Sequence, residues 1–262
     1  MKYEIRKLSF GETFGEAFNL YFDNFGPLFL ISLISSIPTI LMSQEFNANA
    51  AYTEVEQQVI MLRGLLWFLI FIAVNTLSTA LMIEFISKKY LKQHQTIGRY
   101  IKNVLPFIFP IMGLSIVEAI IVGIGLLAFI VPGVYFALAL SVSSQVLIVE
   151  RKRVFQAIQR SFDLTRGYKL EIFGYLLVLF LISFGIGLLS GQLLNLLENM
   201  QVSRQFQILI EHLIQVLIAP IGACLFILIY FNLRIDKEGF ALEHLVEQFG
   251  SSSSDETRDH NH

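Results

Sequence analysis

Glu118 is the residue whose chemistry stands out. It lies near the centre of an apolar run at 106–130, about 17 Å from either end at 1.5 Å per residue. A carboxylate at that depth costs several kcal/mol unless it is paired, neutral or hydrated. It is either an ion, proton or substrate site or a protonated, hydrogen-bonded packing group. Asn75 falls at a similar depth in the run 62–86 and can supply the hydrogen bond. A second set is basic. Arg151, Lys152 and Arg153 follow a run that ends at Glu150, and Arg160 and Arg166 come soon after. Cations beside a membrane-length run suit anionic lipid headgroups. Arg160 and Arg166 are the sharpest of these, with Ile158 and Phe162 holding their helix to the bundle or bilayer.

Other ionisable groups suggest simpler roles. Glu211 and His212 open the last apolar run and are expected to form an interfacial pair. Glu84 and Glu171 stand at run ends beside Lys88 and Lys169, where local ion pairs are expected. No HExxH, GxSxG or Walker-type loop occurs, and no His, Cys and carboxylates have metal-ligand spacing. The expectation is a protein that is not an enzyme and carries no metal and no cofactor. Gly123-Ile-Gly125 lies inside a run and reads as packing rather than a phosphate cradle. The one cysteine, Cys224, reads as a buried packing residue.

These groups must be positioned by membrane helices. Hydrophobic residues make up 55 % of the 262 residues, charged residues 15 %, and the mean hydropathy is +0.63. Soluble domains carry about 25 % charged residues. The expected fold is all-α and polytopic, a single integral membrane domain over 1–249 with spans at about 26–43, 62–86, 106–130, 135–149, 170–189 and 208–233. The fifth helix is expected to run on to Leu197. Val131-Pro132-Gly133-Val134 reads as a tight turn between the third and fourth spans. Pro38 and Pro220 lie inside spans, and Trp67 near a span end. Ser183, Gly187 and Gly191 recur every four residues and would let another helix approach closely; protein partners or a homo-oligomer are separate expectations. The Ser-rich tail 250–262 reads as disordered. No cleavable signal peptide is expected.

Amphipathic segments precede the spans in pairs. Ser9 and Glu12 have capping-box spacing ahead of Phe10, Phe14, Ala17, Phe18 and Tyr21. Ile97, Tyr100, Ile101 and Val104 form a second such segment. Val154, Ile158, Ser161, Phe162 and Thr165 form a third, which Gly167 should stop. One amphipathic helix followed by two spans, three times over, is the expected architecture. Of the 19 lysines and arginines, all but Arg63 and Arg204 fall on one side of this arrangement. Basic loops face the cytoplasm, so both termini and all three amphipathic helices are expected there. The surrounding anionic lipid, not nucleic acid, is the expected partner of these basic stretches.

Three stretches carry a resemblance: IVPGVYFALALS (130–141), FQAIQRSFDLTRGYKLEIFGYLLVL (155–179) and PIGACLFILIYFNLRIDKEGFALEHL (220–245). Together they resemble the membrane domain attached to some bacterial glycerophosphoryl diester phosphodiesterases, which also occurs as a stand-alone protein. The resemblance implies a helical polytopic domain in a prokaryotic cytoplasmic membrane. It implies no catalysis, because the phosphodiesterase activity of such fusions belongs to a separate soluble barrel. Two functions follow from the residues. One is a non-catalytic scaffold or lipid- and partner-interacting module. The other is a transporter or channel-like protein built on Glu118. An intramembrane enzyme acting on lipid headgroups ranks last.

Overall fold

The computed structural model describes residues 6–45, 54–93 and 95–238. The regular structure of these residues is helical throughout: α1 (Phe10–Asp23), α2 (Phe25–Glu45), α3 (Glu54–Tyr90), α4 (Ile97–Val104), α5 (Ile108–Ala128), α6 (Ile130–Leu140), α7 (Ser143–Val149), α8 (Val154–Thr165), α9 (Lys169–Asn199) and α10 (Arg204–Glu238). Six stretches are long and apolar enough to cross a bilayer; the fourth, Ile130–Val149, is made of α6 and α7. The protein is therefore an all-α, multi-pass membrane protein. Four of the expected spans fall within single helices, whereas 106–130 runs past the end of α5 into α6 and 135–149 is divided between α6 and α7; α9 extends as anticipated, to Asn199. The order of one short amphipathic helix and two spans recurs three times, with α1, α4 and α8 leading. The tail 250–262, the segment with Leu242 and Phe249, and residues 46–53 lie outside the described residues.

The short helices start and stop for local reasons. At α1 the Glu12 carboxylate accepts from the Ser9 backbone N–H at 2.8 Å and from its hydroxyl at 2.7 Å. Arg6 adds an ion pair to Glu12 at 2.7 Å. These contacts hold the Glu12 carboxyl down at about 2, with the Arg6 hydrogen bond the largest cause. At α8 the Gln156 side chain accepts from the Arg153 N–H at 3.2 Å. After α8, Gly167 has φ +92, the left-handed conformation that glycine adopts most readily.

Two expectations change. The break between the third and fourth spans is at Phe129, which is extended (φ −168, ψ 160), and not at Val131–Val134. Pro132 and Gly133 instead form the first turn of α6. Proline is tolerated there because its missing N–H would have had no partner. Gly133 has a packing reason: a Cβ at that position would lie 2.8 Å from the Leu126 backbone nitrogen, and one at Gly125 would lie 2.9 Å from the Gly133 Cα. The two glycines thus let α5 and α6 pack backbone to backbone, which is the packing role expected of Gly125. The second change concerns the small-residue stripe. Nothing lies within 4 Å of a Cβ built at Gly187 or Gly191. No helix among the described residues uses that approach, because α10 stands off from α9 along this stretch and leaves a groove beside Ser183, Gly187 and Gly191.

The core gathers at the end of the bundle that carries α1, α4 and α8, called the basic end below. Tyr90, Leu147, Ile148, Tyr230 and Phe231 are fully buried there. The Tyr90 and Phe231 rings sit 5.1 Å apart. The helices divide by burial: 44 % of the span window of α10 is buried, against 11 % for α9. α10 is the central post and α9 a peripheral one. The Tyr21 hydroxyl donates to the Leu217 carbonyl of α10 at 2.8 Å. That bond lies just before Pro220, where the helix ladder lacks an N–H.

Candidate functional site

Two sites emerge, one inside the bundle and one at its basic end. The first is a cavity of about 520 Å³ that reaches Glu118. Its walls come from α2, α3, α5, α6, α7, α9 and α10. The polar side chains lining it are Ser35, Asn75, Ser78, Thr79, Glu118, Ser141, Ser144 and Gln145. Its apolar walls include Met82, Val122, Leu140, Leu176 and Phe226. Among the described residues Glu118 is the one charged residue in the lining.

The helix break between α6 and α7 places much of this polarity. α6 ends at Leu140 and α7 begins at Ser143. Ser141 sits in the break, and Ser144 and Gln145 in the first turn of α7. The Ser143 hydroxyl meets the Glu118 Oε1 and also the Leu140 carbonyl, at 2.6 Å. One hydroxyl proton cannot serve both acceptors. An ionised Glu118 takes that proton; a protonated Glu118 donates to Ser143, which then donates to Leu140. Asn75 does not reach Glu118, as its depth had suggested. It donates to the Phe71 carbonyl one turn back, at 3.0 Å, because an amide inside a helix finds its own ladder first. Glu118 and Asn75 nevertheless line one cavity. Gln145 is only 7 % exposed, and its Oε1 has no hydrogen-bond partner. A buried amide left in that state costs about 1–3 kcal/mol.

The second site is a clamp of charges at the basic end. Glu84, 1 % exposed on its side chain, is held by Arg151 at 2.9 Å and by Asn103 at 3.0 Å. Its neighbour Lys88 attracts it as expected, and the hydrogen-bonded ion pair is with Arg151, a partner 67 residues distant. Arg151 also donates to the Asn103 carbonyl at 2.8 Å and lies over the Phe107 ring. Its φ of 54 is left-handed, which costs roughly 1–2 kcal/mol for a residue with a side chain. Glu150 accepts from Tyr230 at 3.0 Å and pairs with Arg160 at 3.3 Å and Lys152 at 3.4 Å. Arg160 also pairs with Glu238, which Arg234 holds at 2.8 Å. Lys7 reaches Asp236 at 2.6 Å.

The clamp draws in residues that looked solvent- or lipid-facing. Arg160 spends its guanidinium on Glu150 and Glu238, because α8 lies with that face against the 150 loop and the end of α10. Arg151 and Lys152 are likewise engaged. Arg153 and Arg166 are exposed. The buried face of α8 is Ala157, Ser161, Leu164 and Thr165, one strip round from the Val154 face that periodicity suggested. The Ser161 hydroxyl donates to the Ala139 carbonyl near the end of α6 at 2.8 Å, and the Thr165 hydroxyl, which donates to the Ser161 carbonyl at 2.9 Å, lies 3.3 Å from the same Ala139 oxygen. Glu171 accepts from Tyr175 at 3.2 Å rather than simply pairing with Lys169. His212 turns inward and sets its Nδ1 2.8 Å from the Ile208 carbonyl instead of pairing at an interface with Glu211.

Ser143, Gln145, Glu150, Tyr230 and Glu238 were missed as site residues from sequence. One signal was visible: Ser143-Ser144-Gln145 is a polar triplet inside an otherwise apolar span. Among the described residues no group of three His, Cys, Asp or Glu could hold a metal ion. Cys224 is buried and free. The cavity is therefore suited to holding a molecule by hydrogen bonds and one charge, and the clamp to holding helices. No curated protein and no solved structure matches the chain. Residues 44–231 match the model of the uncharacterised protein family UPF0259, and the chain belongs to that family.

Proposed function

We propose that the protein is a non-catalytic membrane carrier that takes a small polar or amphiphilic molecule into the bundle at Glu118. One observation supports this reading above the others: a cavity of about 520 Å³ reaches Glu118 and brings hydroxyls and amides from several helices to it. Small-ligand sites fall in the range of about 300–1,000 Å³ and combine apolar walls with a few placed polar groups. A helix interrupted mid-span beside the cavity fits the same reading, since broken helices at the midplane are a common way for transporters to build sites. The membrane we assign is the cytoplasmic membrane of a prokaryote, with the basic end and both termini in the cytoplasm. Kinship with the membrane domain of glycerophosphoryl diester phosphodiesterases belongs to this proposal as well. A second reading, contact with anionic headgroups at the basic end, is favoured by the exposed Arg153 and Arg166.

Cysteine accessibility tests the carrier. In a Cys224→Ala background, Ser144→Cys and Thr79→Cys should react with a membrane-impermeant thiosulfonate, while the native Cys224 should not. Protection of both introduced thiols from reagent on either side of the membrane would sink the carrier.

A further inference from the structure

We infer that the cavity selects a cationic ligand, an organic amine, and that Glu118 and Gln145 are the residues that bind it. The inference rests on the carrier reading and names its ligand class. Glu118 is the starting point. Among the described residues its hydrogen-bond partner is the Ser143 hydroxyl, and no lysine, arginine or histidine lines the cavity. The well-covered carboxylates at the basic end each meet a cation: Glu84 meets Arg151, and Glu150 meets Arg160. A carboxylate in a low-dielectric site gains strongly from a counter-charge. Here the described residues supply none, so a ligand can.

Gln145 is the independent second observation. It is buried, lines the same cavity, and has an oxygen that accepts no hydrogen bond. An ammonium group carries three donors and no acceptor. Glu118, the Gln145 oxygen and a lining hydroxyl can receive all three. An anion would instead face Glu118 with no cation to offset it. The apolar walls at Met82, Val122, Leu176 and Phe226 leave room for a hydrocarbon body on the amine. Phe226 is the one aromatic residue of the lining. That favours a primary or secondary amine over a quaternary one, which calls for several aromatic faces.

The test uses three molecules of one shape. Full-length protein in zwitterionic nanodiscs is titrated calorimetrically with n-hexylammonium, 1-hexanol and hexanoate. Hexylammonium should bind at least tenfold more tightly than hexanol, and hexanoate should not bind. Glu118→Gln should lose the preference for hexylammonium while retaining hexanol binding, which reports that the variant is folded. Gln145→Leu should weaken hexylammonium severalfold. Equal binding of amine and alcohol, binding of hexanoate, or an amine preference that survives in Glu118→Gln would each overturn the inference. So would the absence of any binding. If Ser144→Cys still labels in those cases, the carrier reading stands without the amine.

Discussion

The clamp and the cavity treat the same side chain in opposite ways. At the basic end, Glu84 and Glu150 are each closed off by a cation and a neutral donor: Arg151 and Asn103 for one, Arg160 and Tyr230 for the other. In the cavity, Glu118 has one serine. A carboxylate whose partners are all supplied by the protein holds the protein together. A carboxylate left short of a counter-charge beside open volume is available to something else. The contrast also separates the cost of mutation. Damage to the clamp should fall on stability, and damage to the cavity on binding.

The sharpest way to break that contrast is at Arg151. Removing it leaves Glu84 buried with the neutral Asn103 as its hydrogen-bond donor, and stranding one charge of a buried pair costs about 3–5 kcal/mol. Arg151 is itself 38 % exposed on its side chain, which brings the expected loss for Arg151→Ala to about 2–3 kcal/mol. Reversible SDS unfolding would measure it; a loss below the scatter of surface variants would deny the clamp its role. Gln145→Leu should behave oppositely. Its amide oxygen makes no hydrogen bond to lose, so stability should hold or rise, by up to about 1–3 kcal/mol, while amine binding falls. A large loss of stability there would make Gln145 a core residue and erase the distinction.

The smallest effect is one of pH. The Glu12 carboxyl is lowered from 4.5 to about 2 by Arg6 and Ser9. A depressed folded-state value means that its contribution is full above about 4.5 and is lost as pH falls towards about 2. The helix α1 cap should therefore loosen only in that acid window. Hydrogen exchange of the α1 amides in detergent should show this for the native chain and not for Glu12→Gln. Equal acid sensitivity in both would place the effect elsewhere.

Much of the architecture was legible because it is written locally. Membrane-length apolar runs, the Ser9–Glu12 spacing and the Gly167 stop depend on residues a few positions apart. Glu118 was legible for the same reason, as a charge inside an apolar run. Its surroundings were not. Ser143 is 25 residues away, and Arg151 is 67 residues from Glu84; no periodicity encodes such pairings. The turn at Phe129 escaped because Pro132 and Gly133 are equally good at opening a helix and at making a turn. Arg160 looked like a lipid contact because its two carboxylate partners lie on other elements. Periodicity shows that α8 has two faces, and only packing decides which one is covered.

The Ala139 carbonyl carries a mechanical consequence. It lies at the end of α6 and receives the Ser161 hydroxyl of α8, with the Thr165 hydroxyl packed beside it. An interrupted helix is ordinarily a soft joint, but here α8 acts as a splint across it. The fourth span can therefore stay bent without being loose, and its bend angle is tied to the seating of α8. If α8 rests on lipid, as its exposed Phe155 suggests, lateral pressure in that leaflet would be transmitted through the splint to the joint beside Glu118.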